Sequence, residues 1–159
     1  MRIVNVNYIA ARNIATIKKF DCIISICDPN SNEYLKGAYV FKFYDVTPKI
    51  SSMFPQYVRP TKKDMQDLAF LFNNMVESGK ESFLIHCSAG ISRSSAATLL
   101  LLMIIHKDMN KAIDELRIIN PRAIPNEFML NWIDSYFDLK GRLVKHYNYQ
   151  PGTLYNYSV

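Results

Sequence analysis

The sequence predicts an α/β architecture: a single domain with a central, mostly parallel sheet of about four to five strands flanked by helices. This follows from short β-type runs rich in Ile, Val and aromatic residues, and from later stretches whose apolar residues recur at helical spacing. The length of 159 residues, 49% of them hydrophobic, suits one core and leaves no room for a second domain.

The β-type runs come first. Residues 3–8 and 22–27 are rich in Ile and Val, and residues 39–44 alternate in character. Asp28-Pro29-Asn30-Ser31-Asn32 closes the second run. Asp45-Val46-Thr47-Pro48 closes the third and opens a loop to Pro60 that is long for a compact domain. Thr61 and Asp64 form a capping-box pair, after which Met65, Leu68, Ala69, Phe72, Met75 and Val76 keep a helical period up to Gly79. Residues 82–86 read as a short buried strand, and residues 92–106 as a helix apolar almost all round, hence central to the core. Two amphipathic helices follow, one through Met109, Ile113, Leu116 and Ile119, the other through Phe128, Trp132, Ile133, Tyr136 and Phe137. Residues 147–159 carry no charged side chain and no clear period, so the domain is drawn at 1–146 with 147–159 as a tail. Its tyrosines, Tyr147, Tyr149, Tyr155 and Tyr157, are read as packing or unordered residues rather than recognition sites.

Charged residues at 21% and aromatics at 13% exclude disordered and fibrous classes. The net charge of +5 permits an anionic partner without choosing among phosphoprotein, nucleic acid and lipid headgroup. The N-terminal segment has no continuous apolar stretch ahead of a small-residue cleavage site. The most apolar run, 96–105, is far shorter than the ~20 residues that span a bilayer, so a cytoplasmic location without a membrane span is expected. Three cysteines, Cys22, Cys27 and Cys87, are an odd number that argues against a disulfide framework and for a chemically active thiol. His86, His106 and His146 share no ligand spacing with them, so no metal and no cofactor is expected. His106, closing the apolar helix, reads as an ordinary cap.

The chemistry concentrates in His86-Cys87-Ser88-Ala89-Gly90-Ile91-Ser92-Arg93-Ser94, between a buried strand and a buried helix. A strand that turns sharply into a helix aims its first N–H groups at one small volume, and the helix dipole makes that volume attractive to an anion. Gly90 lets the backbone take an unusual conformation, Ser88 and Ala89 leave the mouth open, and Arg93 supplies a planar fork matched to two phosphate oxygens. The same field would stabilise a thiolate on Cys87, placing a nucleophile below phosphorus with donors around the equatorial oxygens. Ser94 can donate a hydrogen bond to that sulfur as it departs.

His-Cys-x-x-Gly-x-x-Arg-Ser, with five residues between Cys87 and Arg93, resembles the signature of the protein tyrosine phosphatase superfamily, and the length and order of elements are similar to its small dual-specificity branch. The resemblance covers roughly residues 20–140. It implies a dual-specificity-phosphatase-like fold, Cys87 as nucleophile, Ser88, Ala89, Gly90, Ile91, Ser92 and Arg93 as the phosphate cradle, Ser94 as assistant to the leaving thiolate, and His86 as a buried support for the loop. The family's general acid follows the strand corresponding to 39–44, which points to Asp45. Asp45 stands 42 residues before Cys87, so residues 49–59 would be an insertion. Asp64 and Asp67 fall at and inside the next helix, where capping and solvent exposure explain them. Asn126 looks like the Pro-Asn that relatives place behind the loop to orient its Ser, and it is also suited to capping a helix at Glu127. Arg59 and Arg122 read as solvated surface charges. Cys27 ends the second strand, where some members carry a cysteine that forms a reversible disulfide with the nucleophile. A small buried hydrophobe is the competing reading there, and core packing suffices for Cys22.

The function implied is a metal-independent phosphatase that hydrolyses phosphotyrosine, with phosphoserine and phosphothreonine also open, through a cysteinyl-phosphate. The partner would be a phosphorylated protein, because the loop carries no Lys where the superfamily's phosphoinositide enzymes often carry basic residues, and no nucleic acid is expected. A phosphatase of RNA 5′ ends or of phosphoinositides, and a non-catalytic phosphotyrosine-binding module, are the rival classes. The oligomeric state is not legible.

Overall fold

A computed structural model of the chain describes residues 1–148, so Tyr149, Tyr155, Tyr157 and most of the expected tail lie outside the described residues. Four parallel strands form the sheet: β1 (Arg2–Asn7), β2 (Cys22–Cys27), β3 (Tyr39–Lys42) and β4 (Ser82–Cys87), in the order β1-β4-β2-β3. The helices are α1 (Tyr8–Ile17), α2 (Pro48–Met53), α3 (Lys62–Glu77), α4 (Arg93–His106), α5 (Met109–Ile119), α6 (Glu127–Tyr136) and α7 (Arg142–His146). Among the described residues no helix is long and apolar enough to cross a membrane.

The near-continuous apolar runs of β2 and β4 follow from burial on both faces. Cys22, Ile24 and Ile26 of β2 lie level with Phe83, Ile85 and Cys87 of β4 and pack against α3, α4 and α6. On the opposite face Leu84, Val4, Val6 and Ile23 pack against Ala11 of α1 and against Leu35. Helix α4 runs through the larger layer, and every residue from Arg93 to Ile104 is buried, which is why its sequence has no polar stripe. Its C-terminus closes on Lys107 in the left-handed conformation (φ 53°). His106 therefore does not cap the helix as expected: its Nε2 pairs with Glu115 Oε2 of α5 at 2.5 Å.

Three helices depart from the sequence reading. Asn7, read as part of a strand, ends β1 and caps α1 through Ala10 N–H (2.8 Å). Its helix has a single buried residue, Ala11, and so little apolar period to mark it. The long loop after β3 contains α2, capped by Thr47 Oγ1 on Ile50 N–H and started by Pro48 at the first turn. Helix α7 follows Gly141, whose φ of 80° makes the turn from α6, and the Asp134 carboxylate holds that turn through the N–H groups of Gly141 and Leu143. Helix α3 matches its expectation, with both halves of the Thr61–Asp64 capping box formed.

The outer layer also supports β4. His86 is fully buried, its Nε2 sits 2.6 Å from Ser25 Oγ, and Ser25 Oγ accepts Leu35 N–H at 3.1 Å. This joins the end of β4 to β2 and to the segment before β3. Burial pushes the His86 imidazole down from its usual 6.5 to about 4, so the folded protein holds it neutral. The unfolded chain then binds more protons between those values, and folding loses stability as pH falls from about 6.5 toward about 4. We expect the group to cost roughly 2–3 kcal/mol across that window. Denaturant titrations of wild type and His86→Gln at pH 7 and pH 4.5 check this; an equal acid loss in both proteins would remove His86 as its source.

The turn from β4 into α4 rests on the junction of β1 and α1. Gly90 has φ +70°, and a Cβ there would lie 2.4 Å from Asn7 N, 2.5 Å from the Val6 carbonyl carbon and 2.8 Å from its oxygen. Those atoms are backbone and cannot yield. Gly90→Ala is expected to lower stability by about 1–3 kcal/mol through overpacking and left-handed strain, read as a lower denaturation midpoint at unchanged m-value.

Candidate active site

Strand β4 ends at Cys87, α4 begins at Arg93, and the five residues between them curl over the C-terminal edge of the sheet. The curl is held from below by side chains. Asn120 Nδ2, in the turn after α5, donates to Gly90 O at 2.7 Å and lies 3.3 Å from Ser95 Oγ, which also accepts Asn5 Nδ2 at 3.0 Å. Main-chain bonds add to this: Ile124 N–H reaches Ile91 O at 2.9 Å and Asn126 N–H reaches Ser92 O at 3.3 Å. A loop pinned on these sides has little conformational freedom left to lose when a ligand arrives.

The Cys87 sulfur faces into this curl. Gly90 N–H donates to Sγ at 3.2 Å, and Ser94 Oγ lies 3.2 Å from it. The sulfur thus has one backbone N–H donor and one hydroxyl within hydrogen-bond reach. Ser92, the N-cap of α4, gives no side-chain cap to the helix. Its hydroxyl instead donates to Asp45 Oδ1 at 2.6 Å, so the first-turn N–H groups of α4 have no side-chain oxygen from that cap.

Asp45 reaches the loop from the segment after β3. Its Oδ1 accepts from Ser92 Oγ and also from Asn126 Nδ2 at 2.9 Å, and its side chain is exposed. Both bonds use one oxygen, which leaves Oδ2 to carry or take a proton. Asn126 caps α6 through Oδ1 on Met129 N–H (3.2 Å) and adds a bond from Nδ2 to Val46 O (3.2 Å). It thus holds the carboxylate of Asp45 rather than orienting a loop serine. The asparagine behind the loop is Asn120, which the sequence reading did not single out.

Arg93 is 3% exposed, and its guanidinium is seated by the neighbouring strands. Nη1 donates to Asp28 Oδ1 and to Phe43 O, each at 2.7 Å, while Nη2 lies 3.4 Å from Ser88 Oγ. Asp28 was read only as a turn residue. It stands two residues past Ile26, the register partner of Cys87, a relation that only the fold reveals.

Cys22, Cys27 and Cys87 are all free thiols. Cys27 lies one residue past Ile26, and strand geometry puts its Cα about 6 Å from that of Cys87, within the span of a disulfide. Alternation along the pleat turns the two side chains toward opposite faces, so bridging them requires a shift at the strand ends. Burial raises the Cys27 thiol, against the pull of Lys42 and Arg93, and pushes Cys22 up to about 11. Arg59 is not a free surface charge: its guanidinium stacks over the Phe128 ring at 5.2 Å. Arg122 is exposed, as expected.

No protein-family model and no curated protein matches the chain. Solved structures do. Human DUSP28 superposes with a TM-score of 0.61 at 16% identity, covering 86% of this chain and 92% of that one. The active form of Tk-PTP gives 0.60 at 18% identity, over 87% and 92%. The PTP-2 phosphatase of Cydia pomonella gives 0.59 at 18% identity, over 85% of each chain. The chain has the fold of the small dual-specificity-like protein tyrosine phosphatases.

Proposed function

We propose that residues 1–146 form a metal-independent protein phosphatase that hydrolyses phosphotyrosine, with phosphoserine and phosphothreonine as secondary substrates, through a cysteinyl-phosphate on Cys87. One observation carries the reading: a single turn presents a sulfur in contact with Gly90 N–H and Ser94 Oγ, a buried guanidinium six residues later, and a carboxylate hydrogen-bonded to its rim.

The substrate phosphate sits over Cys87 with its equatorial oxygens toward the loop N–H groups and Arg93. The thiolate attacks phosphorus as the bond to the leaving oxygen breaks, and Asp45 Oδ2 delivers the proton that oxygen needs. Water then attacks the thiophosphate, Asp45 accepts its proton, and the S–P bond breaks with Ser94 stabilising the departing thiolate. Loop donors and Arg93 meet charge that grows on the equatorial oxygens, so they favour the transition state over the ground state.

An aryl phosphate suits the surroundings. Tyr44, next to Asp45, meets Tyr57 edge-on at 5.0 Å, and Phe54 lies 5.9 Å from Tyr57, so the segment that brings the acid also brings exposed aromatic surface. The five loop residues Ser88 to Ser92 carry no cation to select an inositol headgroup.

Cys87→Ser should abolish turnover of a phosphotyrosyl peptide while the peptide still binds, measured by calorimetry. Asp45→Ala should lower kcat by about 10²–10⁴, the range for loss of a general acid. An unchanged rate removes Asp45 from the mechanism. With EDTA present, phosphate release from phosphotyrosyl peptide should exceed release from phosphoseryl peptide, RNA 5′-triphosphate and phosphoinositide; a faster rate on RNA or lipid replaces the proposed substrate class.

A further inference from the structure

Arg93 carries five N–H donors, and the fold commits one end of the guanidinium. Nη1 has two hydrogens and two acceptors at 2.7 Å, Asp28 Oδ1 and Phe43 O, so that nitrogen is saturated. On the other edge Nη2 has one long contact to Ser88 Oγ at 3.4 Å, and Nε is buried with no hydrogen-bond partner among the described residues. Nε–H and the neighbouring Nη2–H point the same way, and this edge matches two oxygens of a tetrahedral oxyanion.

The two acceptors come from the C-terminal ends of adjacent strands. Asp28 follows β2, whose Ile26 pairs with Cys87, and Phe43 follows β3 and is tied to β2 by its N–H on Cys27 O at 3.1 Å. The turn after β2 closes without the Asp28 side chain, through Ser31 N–H on the Asp28 main-chain oxygen at 2.9 Å. Its carboxylate is 42% exposed and reaches inward to a guanidinium that is 4% exposed. Turn formation therefore does not account for where the side chain goes.

We propose that Asp28 is a positioning residue: by fixing Nη1 together with Phe43 O, it presents the Nε–Nη2 edge of Arg93 to the substrate's phosphoryl oxygens. The inference rests on the phosphatase reading above and names a residue that acts through Arg93. Two effects of the carboxylate oppose each other. Its charge repels a dianion, but it is partly solvated and directed at the far end of the guanidinium, so solvent screens that repulsion. Orientation of a buried fork is not screened, because a misplaced guanidinium loses a charged hydrogen bond outright. Orientation prevails.

The test uses the full chain, a phosphotyrosyl peptide for turnover, and inorganic tungstate as a substrate-independent oxyanion probe. Asp28→Ala should lower kcat/KM and weaken tungstate binding by on the order of ten- to a hundredfold, with its melting temperature near that of wild type. Asp28→Asn keeps an oxygen acceptor in place and should recover most of both. Wild-type turnover and tungstate affinity in Asp28→Ala overturn the inference, as does equal loss in both variants or a loss that tracks a fall in melting temperature. If the wild type binds tungstate but hydrolyses no phosphopeptide, the phosphatase reading fails while the tungstate series still judges Asp28. If it does neither, both fall together.

Discussion

A guanidinium buried at the C-terminal edge of a parallel sheet takes its orientation from the acceptors that reach it, because a buried donor gains more from a hydrogen bond than one in water does. Arg93 finds them on its two sequence-distant neighbours, the residue after β2 and the second-last residue before Asp45. One side chain thereby ties the start of α4 to the ends of β2 and β3. The segment carrying Asp45 leaves from the same place. The proposed anion cradle and the placement of the proposed acid thus depend on one set of strand ends.

The topology explains why so much converges there. In the order β1-β4-β2-β3 every strand is parallel, so all of the β-to-helix connections emerge on one edge of the sheet. Strand β4 lies between β1 and β2, and the turn after it is flanked on both sides. The β1–α1 junction presses against Gly90 closely enough to forbid a Cβ. The ends of β2 and β3 supply the seat for Arg93. From the helical side, Asn120 and Asn126 reach the loop and its carboxylate, and each stands at the end or start of a helix, where its geometry is set by capping.

What was legible in the sequence is what is local. Capping at Thr61, apolar period in α3, α5 and α6, the all-apolar α4 and the strand-to-helix turn after Cys87 are each contained in a single element or one turn, and each is where it was expected. Helix α1 was hidden because its first residue, Tyr8, continues the Ile- and Val-rich run of residues 3–8, and its buried face holds little beyond Ala11. Helix α2 was hidden inside a turn-rich segment with no buried residue to mark a period. The contacts that finish the site were not legible at all. Asp28 and Arg93 are 65 residues apart, Asp45 and Asn126 are 81 apart, and Asn5 and Ser95 are 90 apart. Nothing in the composition near Asp28 or Asn120 separates a turn aspartate or a terminal asparagine from one that holds a loop.

The same distances bear on how the proposed acid works. Asp45 sits on a segment lengthened by α2, and a carboxylate on a long exposed loop would ordinarily lose conformational freedom each time it approached a substrate. Here Oδ1 is held by Ser92, in the loop between β4 and α4, and by Asn126, which is fixed by capping α6. Tyr44 N–H on Val58 O, at 2.8 Å, closes the base of the segment just before the acid. The carboxylate is thus tethered to the rim of the site it serves while its second oxygen stays open to solvent. An acid held in this way needs no large closing motion to meet a leaving group, and α2 can vary above it without moving the proton donor.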